Sequence, residues 1–177
     1  LIKNGNPIFV DTGISTYEKN TIRQSERATH SHNTVKIGSK EQTQVWGGFR
    51  VAKRAKIIHL TEKHNLIEAS HDGYLSVGYK HTRSFLWGEK HLILSDEINR
   101  STNNKAKAYF HLHSSVTKPL VDGNTIILES SGVSIEFERA SNICIEEYQL
   151  SAGFNKTNLA YKIIVLFDQK LKTKISL

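Results

Sequence analysis

Methionine is absent from the 177 residues, cysteine occurs once and proline twice. The missing methionine suggests a trimmed or excised piece. The opening Leu1-Ile2-Lys3-Asn4-Gly5 reads like a strand end entering a turn, which predicts that the true beginning lies upstream. A single cysteine excludes an internal disulfide. Its setting, Ile143-Cys144-Ile145, predicts a buried packing residue rather than a nucleophile. No apolar run approaches the ~18 residues of a membrane helix, and no signal peptide is visible. Pro7 and Pro119 both fall near expected strand ends, so little interrupts extended structure. No segment carries an amphipathic helix of three turns, and there is no repeat, linker or low-complexity tract.

What the chain does have is positive charge. Lysine and arginine exceed aspartate and glutamate to give a net +7. Such a balance favours polyanionic partners: nucleic acid, acidic polysaccharide or an anionic membrane surface. Nucleic acid fits poorly, because the aromatics and basic residues show no clustered stacking pattern. The length suits one domain with a real core.

Hydrophobic periodicity is that of β-structure almost throughout. Val133, Ile135 and Phe137 alternate with Ser134, Glu136 and Glu138. Ala106, Ala108, Phe110 and Leu112 point one way, and Tyr109, His111 and His113 the other. Further strands are expected at Ile8–Asp11, Asn33–Ile37, Thr43–Val51, Lys56–Thr61, Asn65–Ser70, Arg83–Trp87, His91–Ile98, Asn124–Glu129, Ile143–Leu150 and Tyr161–Phe167. Turns are expected at Asp122–Asn124, Ser130–Gly132 and Asn99–Asn104. The predicted fold class is all-β, an antiparallel multi-stranded β-sandwich.

One stretch near the start concentrates chemistry. Pro7-Ile-Phe-Val-Asp11-Thr-Gly13 is followed by Tyr17, Arg23, Arg27 and His30-Ser-His32-Asn33. Asp11 alone reads as an ordinary strand-to-turn residue. His30 and His32 would share a face on an extended strand and could hold a metal, although a surface pair is the commoner outcome. Tyr17 is a candidate acid or base beside cations, or a strand-edge aromatic. Arg23 and Arg27 could grip carboxylate or sulfate bidentately, or form a solvated loop. Later, Asp72-Gly73 favours a turn flanked by His71 and Tyr74, which either line a cleft or decorate a hairpin. His111 and His113 read as a polar sheet surface, and Trp46 and Trp87 as core more than as sugar platforms.

The run Pro7–Tyr17, then Arg23, Arg27, Thr29 and His32-Asn33-Thr34-Val35, resembles the C-terminal β-domain of the heparinase II/III-like family, which contains polysaccharide lyases, alginate lyases among them. Gln42–Trp46, Phe49-Arg50, His71–Tyr74, His81–Arg83 and Phe110–His113 resemble its pattern too, so the similarity spans roughly residues 5–115. It implies an upstream helical toroid and a cleft between toroid and sandwich. It implies that Asp11 and His32 match two zinc ligands, with a third, a histidine, just before residue 1, and that Tyr17 lies near a catalytic tyrosine of some members. Arg23, Arg27, His30, Asn33, His71 and Tyr74 are then the expected substrate-binding set. The implied chemistry is β-elimination at a uronic acid of an acidic polysaccharide, in a periplasmic or secreted setting, with the 177-residue chain itself inert. A non-catalytic carbohydrate-binding or scaffolding sandwich is the alternative.

Overall fold

The structure, a computed structural model, describes residues 1–103 and 105–177; Asn104, the last residue of the expected Asn99–Asn104 turn, lies outside them. Strands β1 (Ile2–Lys3) and β2 (Asn6–Pro7) form a small hairpin. A six-residue helix α1 (Thr21–Glu26) and a 3-10 turn at Thr29–Ser31 follow. Next come β3 (Val35–Ile37), β4 (Val45–Trp46), β5 (Arg50–Val51), β6 (Ile57–Lys63), β7 (Leu66–His71), β8 (His81–Trp87), β9 (His91–Ile98) and β10 (Ala106–His111). The chain ends in β11 (Leu120–Asp122), β12 (Thr125–Leu128), β13 (Val133–Glu138), β14 (Asn142–Gly153), β15 (Lys156–Phe167) and β16 (Lys170–Ser176).

Two antiparallel sheets face each other. One has four strands in the order β14-β15-β10-β3, the other eight in the order β11-β12-β13-β16-β9-β8-β7-β6. Side chains alternate across a strand, so each sheet turns one set inward. Val133, Ile135 and Phe137 of β13 meet Phe110 of β10 and Ile163, Val165 and Phe167 of β15 in one core. A fully buried side chain of this kind contributes ~1.5–3 kcal/mol over an exposed one.

The expected strand at Thr43–Val51 is instead the β4/β5 hairpin, broken at Gly47, whose φ of +66° turns the chain back. Ile8–Asp11 is held by a single bridge, Phe9 to Leu112, rather than a regular ladder. Strands β11 and β16 and helix α1 were not expected. Cys144 is only half-buried, because β14 is an edge strand, and it accepts a bond from Asn142 Nδ2 at 3.2 Å. Trp46 and Trp87 are exposed rather than core residues. Among the described residues no helix is long and apolar enough to cross a membrane.

Candidate functional site

The outer face of the four-stranded sheet is covered by the segment from Asp11 to His32, and the site lies between the two. Turn chemistry starts it. Gly13 has a φ of +71°, and its amide donates to Asp11 Oδ1 at 3.2 Å. A Cβ on Gly13 would sit 3.0 Å from Ser151 Cβ, so the turn packs tightly on the β14/β15 hairpin. Ser151 N donates to the Thr12 carbonyl and Ser151 Oγ to that of Ile14, while Asn155 N donates to Ser15 O. Glu26 of α1 accepts from the Ser15 amide at 2.8 Å, and buried Thr12 donates to Ser31 O at 2.9 Å. These bonds fix the segment to both the hairpin and the helix.

The fold brings Asp11 to His32: Oδ2 and Nδ1 are 2.7 Å apart. Burial pushes the Asp11 carboxyl up, but the His32 hydrogen bond, the Gly13 amide and the imidazole charge outweigh it and hold it below its ordinary value. The Asp11 hydrogen bond raises His32 against the opposing effect of burial. The two shifts agree on a half-exposed pair in which each partner favours the charged form of the other. One carboxylate oxygen and one ring nitrogen, already adjacent, fit zinc chemically as two of its usual ligands. No cluster of three potential metal ligands occurs among the described residues.

His30 and His32 do not share a strand face. His30 belongs to the 3-10 turn, with Nε2 at 3.2 Å from Ser25 Oγ and its ring beside Tyr109. It lines a cleft together with His111, Tyr148 and Lys162. Tyr17 stands at the surface, stacked on Phe154 at 6.2 Å and facing the Arg23 guanidinium at 6.0 Å. Arg23 is buried beneath Phe49 and Tyr17, with Glu26 4.0 Å away, so it has little surface to offer a sugar. Arg27 is occupied in donating to the Gly47 carbonyl at 2.9 Å.

Asn33 is a fastener. Its Nδ2 donates to Val10 O at 2.8 Å, its Oδ1 accepts from the His111 amide at 2.6 Å, and its own carbonyl accepts from Arg83 Nη1 at 2.6 Å. The Asp72-Gly73 turn forms as expected, but Tyr74 is fully buried with its hydroxyl donating to Val35 O at 2.7 Å. Burial in the core replaces the cleft-lining role expected of Tyr74. His71 is drawn inward to His81, ring nitrogens 3.1 Å apart, and a Cβ on Gly73 would come within 2.9 Å of its Nδ1.

Three site residues escaped the sequence reading. His111, taken as polar surface, is almost fully buried. Burial and the Lys162 charge lower its pKa to about 4. Tyr148 packs edge-on against the His111 ring at 5.0 Å and donates to Leu112 O. Lys162 reaches Glu146 at 3.1 Å along the cleft. In β10, Ala108 and Phe110 turn inward, and Tyr109 and His111 occupy the other face, where both are nevertheless buried.

Histidines held neutral by burial make stability pH-dependent. Burial and the His81 charge also lower His71 to about 4. In the unfolded chain both rings titrate near pH ~6.5. Below that, the unfolded state binds more protons, so stability is full above about pH 6.5 and falls as the pH drops toward 4. His32, raised by Asp11, works in the opposite direction, but its half-exposed pair is screened. Thermal midpoints should therefore fall between about pH 7.5 and about pH 5. A flat profile would contradict the neutral state of both rings.

The sequence profile described as heparinase II/III-like, C-terminal, matches residues 1–177. No curated protein matches the chain. Among solved structures, a heparinase III gene product is similar at 15% identity and a TM-score of 0.72, covering 98% of this chain. Heparan sulfate lyase HepC from Pedobacter heparinus is similar at 16% identity and a TM-score of 0.71, covering 97%. At these identities the likeness is one of fold, and the chain spans 28% of the length of each of the two. With its β-sandwich and a profile match along its whole length, the chain belongs to the heparinase II/III-like family as a C-terminal domain of that family.

Proposed function

We propose that this chain is the C-terminal β-domain of a polysaccharide lyase that cleaves a uronate-containing polysaccharide by β-elimination, and that it is catalytically incomplete alone. The observation that carries this is the cleft on the four-stranded sheet. His30, His111, Tyr148 and Lys162 line it, and the Asp11–His32 pair stands close enough to His111 for their charges to act on it, in a chain belonging to this family. β-Elimination removes a weakly acidic proton beside a carboxylate, so the site must counter that carboxylate's charge and stabilise the developing enolate. Lys162 supplies positive charge at the cleft, and His30 lines it as a polar contact for a sugar. Asp11 and His32 would hold zinc together with a ligand from the rest of the polypeptide; once bound, the metal supplies a fixed positive charge. An upstream toroid would complete the cleft and supply the remaining proton-transfer groups. A periplasmic or secreted setting suits a polysaccharide substrate.

The test is to incubate the full-length parent with heparan sulfate, alginate and related polyuronates and follow the absorbance of unsaturated uronate. Product on at least one is expected. Binding without product on every polymer would replace the lyase with a non-catalytic carbohydrate-binding protein.

A further inference from the structure

The two large sheets end in four edge strands, β14, β3, β11 and β6, and only β14 is left open to pairing. Short length, bulges and lysine are what keep an edge from adding another strand. β3 and β11 have three residues each. β6 carries a bulge between Ile57 and His59 and ends in Lys63. β14 runs for 12 residues without lysine or proline, and its register shift lies at the far end, between Ser151 and Gly153.

The ladder fixes which main-chain groups face outward. Leu112 N donates to Tyr161 O at 2.9 Å, so the odd-numbered residues of β15 bond to β10 and the even-numbered ones to β14. The β14 partners of those even-numbered residues are Asn142, Cys144, Glu146 and Tyr148. The main-chain groups of Ile143, Ile145, Glu147 and Gln149 therefore point away from the sheet, and none has a hydrogen-bond partner among the described residues. Ser151, next in the same row, is already taken: its N donates to Thr12 O at 2.9 Å. Both ends of the chain lie away from this edge. Leu1 bonds Phe9, which bridges to Leu112 on the side of β10 away from β15, and Leu177 N donates to Lys90 O beside the eight-stranded sheet.

A second copy of β14 fits this edge in one register. Antiparallel pairing sets outward-facing residues against outward-facing residues. Centred on Cys144, it sets Ile143 against the second copy's Ile145, and Asn142 against its Glu146. Ile143 and Ile145 pack half-buried against the core, so this pairing extends apolar contact across the join. Centring on Glu146 or Glu147 would set like charges opposite each other, which destabilises a ladder. Centring on Ile145 sets Glu147 against Ile143, and centring on Ile143 shortens the overlap. We propose that two copies of this protein pair through β14, antiparallel and centred on Cys144, joining their four-stranded sheets into one continuous sheet. The inference rests on the open edge and its side-chain match, and it is independent of the lyase reading.

Sedimentation equilibrium of the full-length parent, with crosslinking at the centre of the pairing, tests this. The parent should sediment as a dimer. Cys144 would face its own copy with Cβ atoms about 5 Å apart, so a short bis-maleimide should join the two, with the linked peptide identified by mass spectrometry. Cys144→Glu and Cys144→Lys set like charges against each other and should each raise the dimer dissociation constant about fivefold. An equimolar mixture of the two variants sets glutamate against lysine and should recover the association that each alone has lost. A parent that is monomeric at every concentration overturns the proposal, and if its Ile143 and Ile145 amides are then protected from exchange, the edge belongs to another segment of the same polypeptide. A dimer without the Cys144 link, or a mixture that associates no better than either variant alone, places the interface elsewhere and overturns it too.

Discussion

Asp96→Ala is expected to lower the unfolding free energy by about 3–5 kcal/mol. The reason is what Asp96 leaves behind. Its carboxylate is fully buried and accepts from Arg83 Nε at 2.7 Å and Nη2 at 3.0 Å, and from His81 Nε2 at 2.7 Å. Burial pushes its pKa up, but the Arg83 guanidinium and His81 outweigh this and hold it well below the carboxylate range. Removing it strands a guanidinium and an imidazole inside the sandwich, each owed a partner. Asp96→Asn keeps the shape and one acceptor and should cost less. Glu97→Ala is the control: the Glu97–Lys170 pair, 3.1 Å apart and about half-exposed, should be worth under ~1 kcal/mol. Urea unfolding of the three variants measures the order. Equal losses for Asp96→Ala and Glu97→Ala would show that the buried network does not carry the stability assigned to it. The Asp96 contribution is present above the unfolded carboxylate pKa of about 4 and is lost as the pH falls below it.

Much of the fold could be read from period-two alternation. Strands β9 and β13 run over the residues expected, because Leu, Val, Ile and Phe alternate there with polar residues. β16 carries the same signal in Leu171, Thr173 and Ile175, all buried, but three interleaved lysines disguise it as surface. The β4/β5 hairpin was read as one strand because its apolar residues do not show that Gly47 reverses the chain. Helix α1 is too short for helical periodicity. Its signal is the Asn20 cap, whose side chain accepts from the Arg23 amide at 3.0 Å.

The site was legible in part. The residues could nominate Asp11 and His32, but their 2.7 Å contact depends on a 21-residue excursion closing, which sequence spacing permits without requiring. Arg23 and Tyr74 show the opposite failure. A guanidinium and a phenol look like surface chemistry in sequence, yet each has a long apolar body that the fold can bury. His111 was missed because a sheet with both faces covered gives a histidine the same alternation as a solvated one. Only the Asp11–His32 segment folding over β10 makes that second face an interior.

Asn33→Ala tests whether that cover is what shapes the site. The Asn33 side chain joins Val10, next to Asp11, to the His111 amide in β10, and it directly follows His32. Its backbone carbonyl is pinned by Arg83, which ties the cover to the buried Asp96 network beneath. Alanine leaves the Arg83 bond but frees the Val10 carbonyl and the His111 amide, at a cost of about 1–3 kcal/mol for each buried group left unpaired. Groups that orient a ligating pair typically cost 10–100-fold when lost. If the full-length parent is the lyase proposed above, its rate should fall by about that factor while substrate affinity changes less, because both ends of the Asn33 side chain already bond within the domain. Asn33→Asp keeps the Oδ1 acceptor for the His111 amide and sets a carboxylate against the Val10 carbonyl. It should keep the β10 contact, lose the Val10 one and lie between wild type and alanine in stability. Alanine raising KM with kcat intact would make Asn33 a substrate contact, whereas a loss confined to kcat makes it the clamp that holds Asp11 and His32 in register over His111.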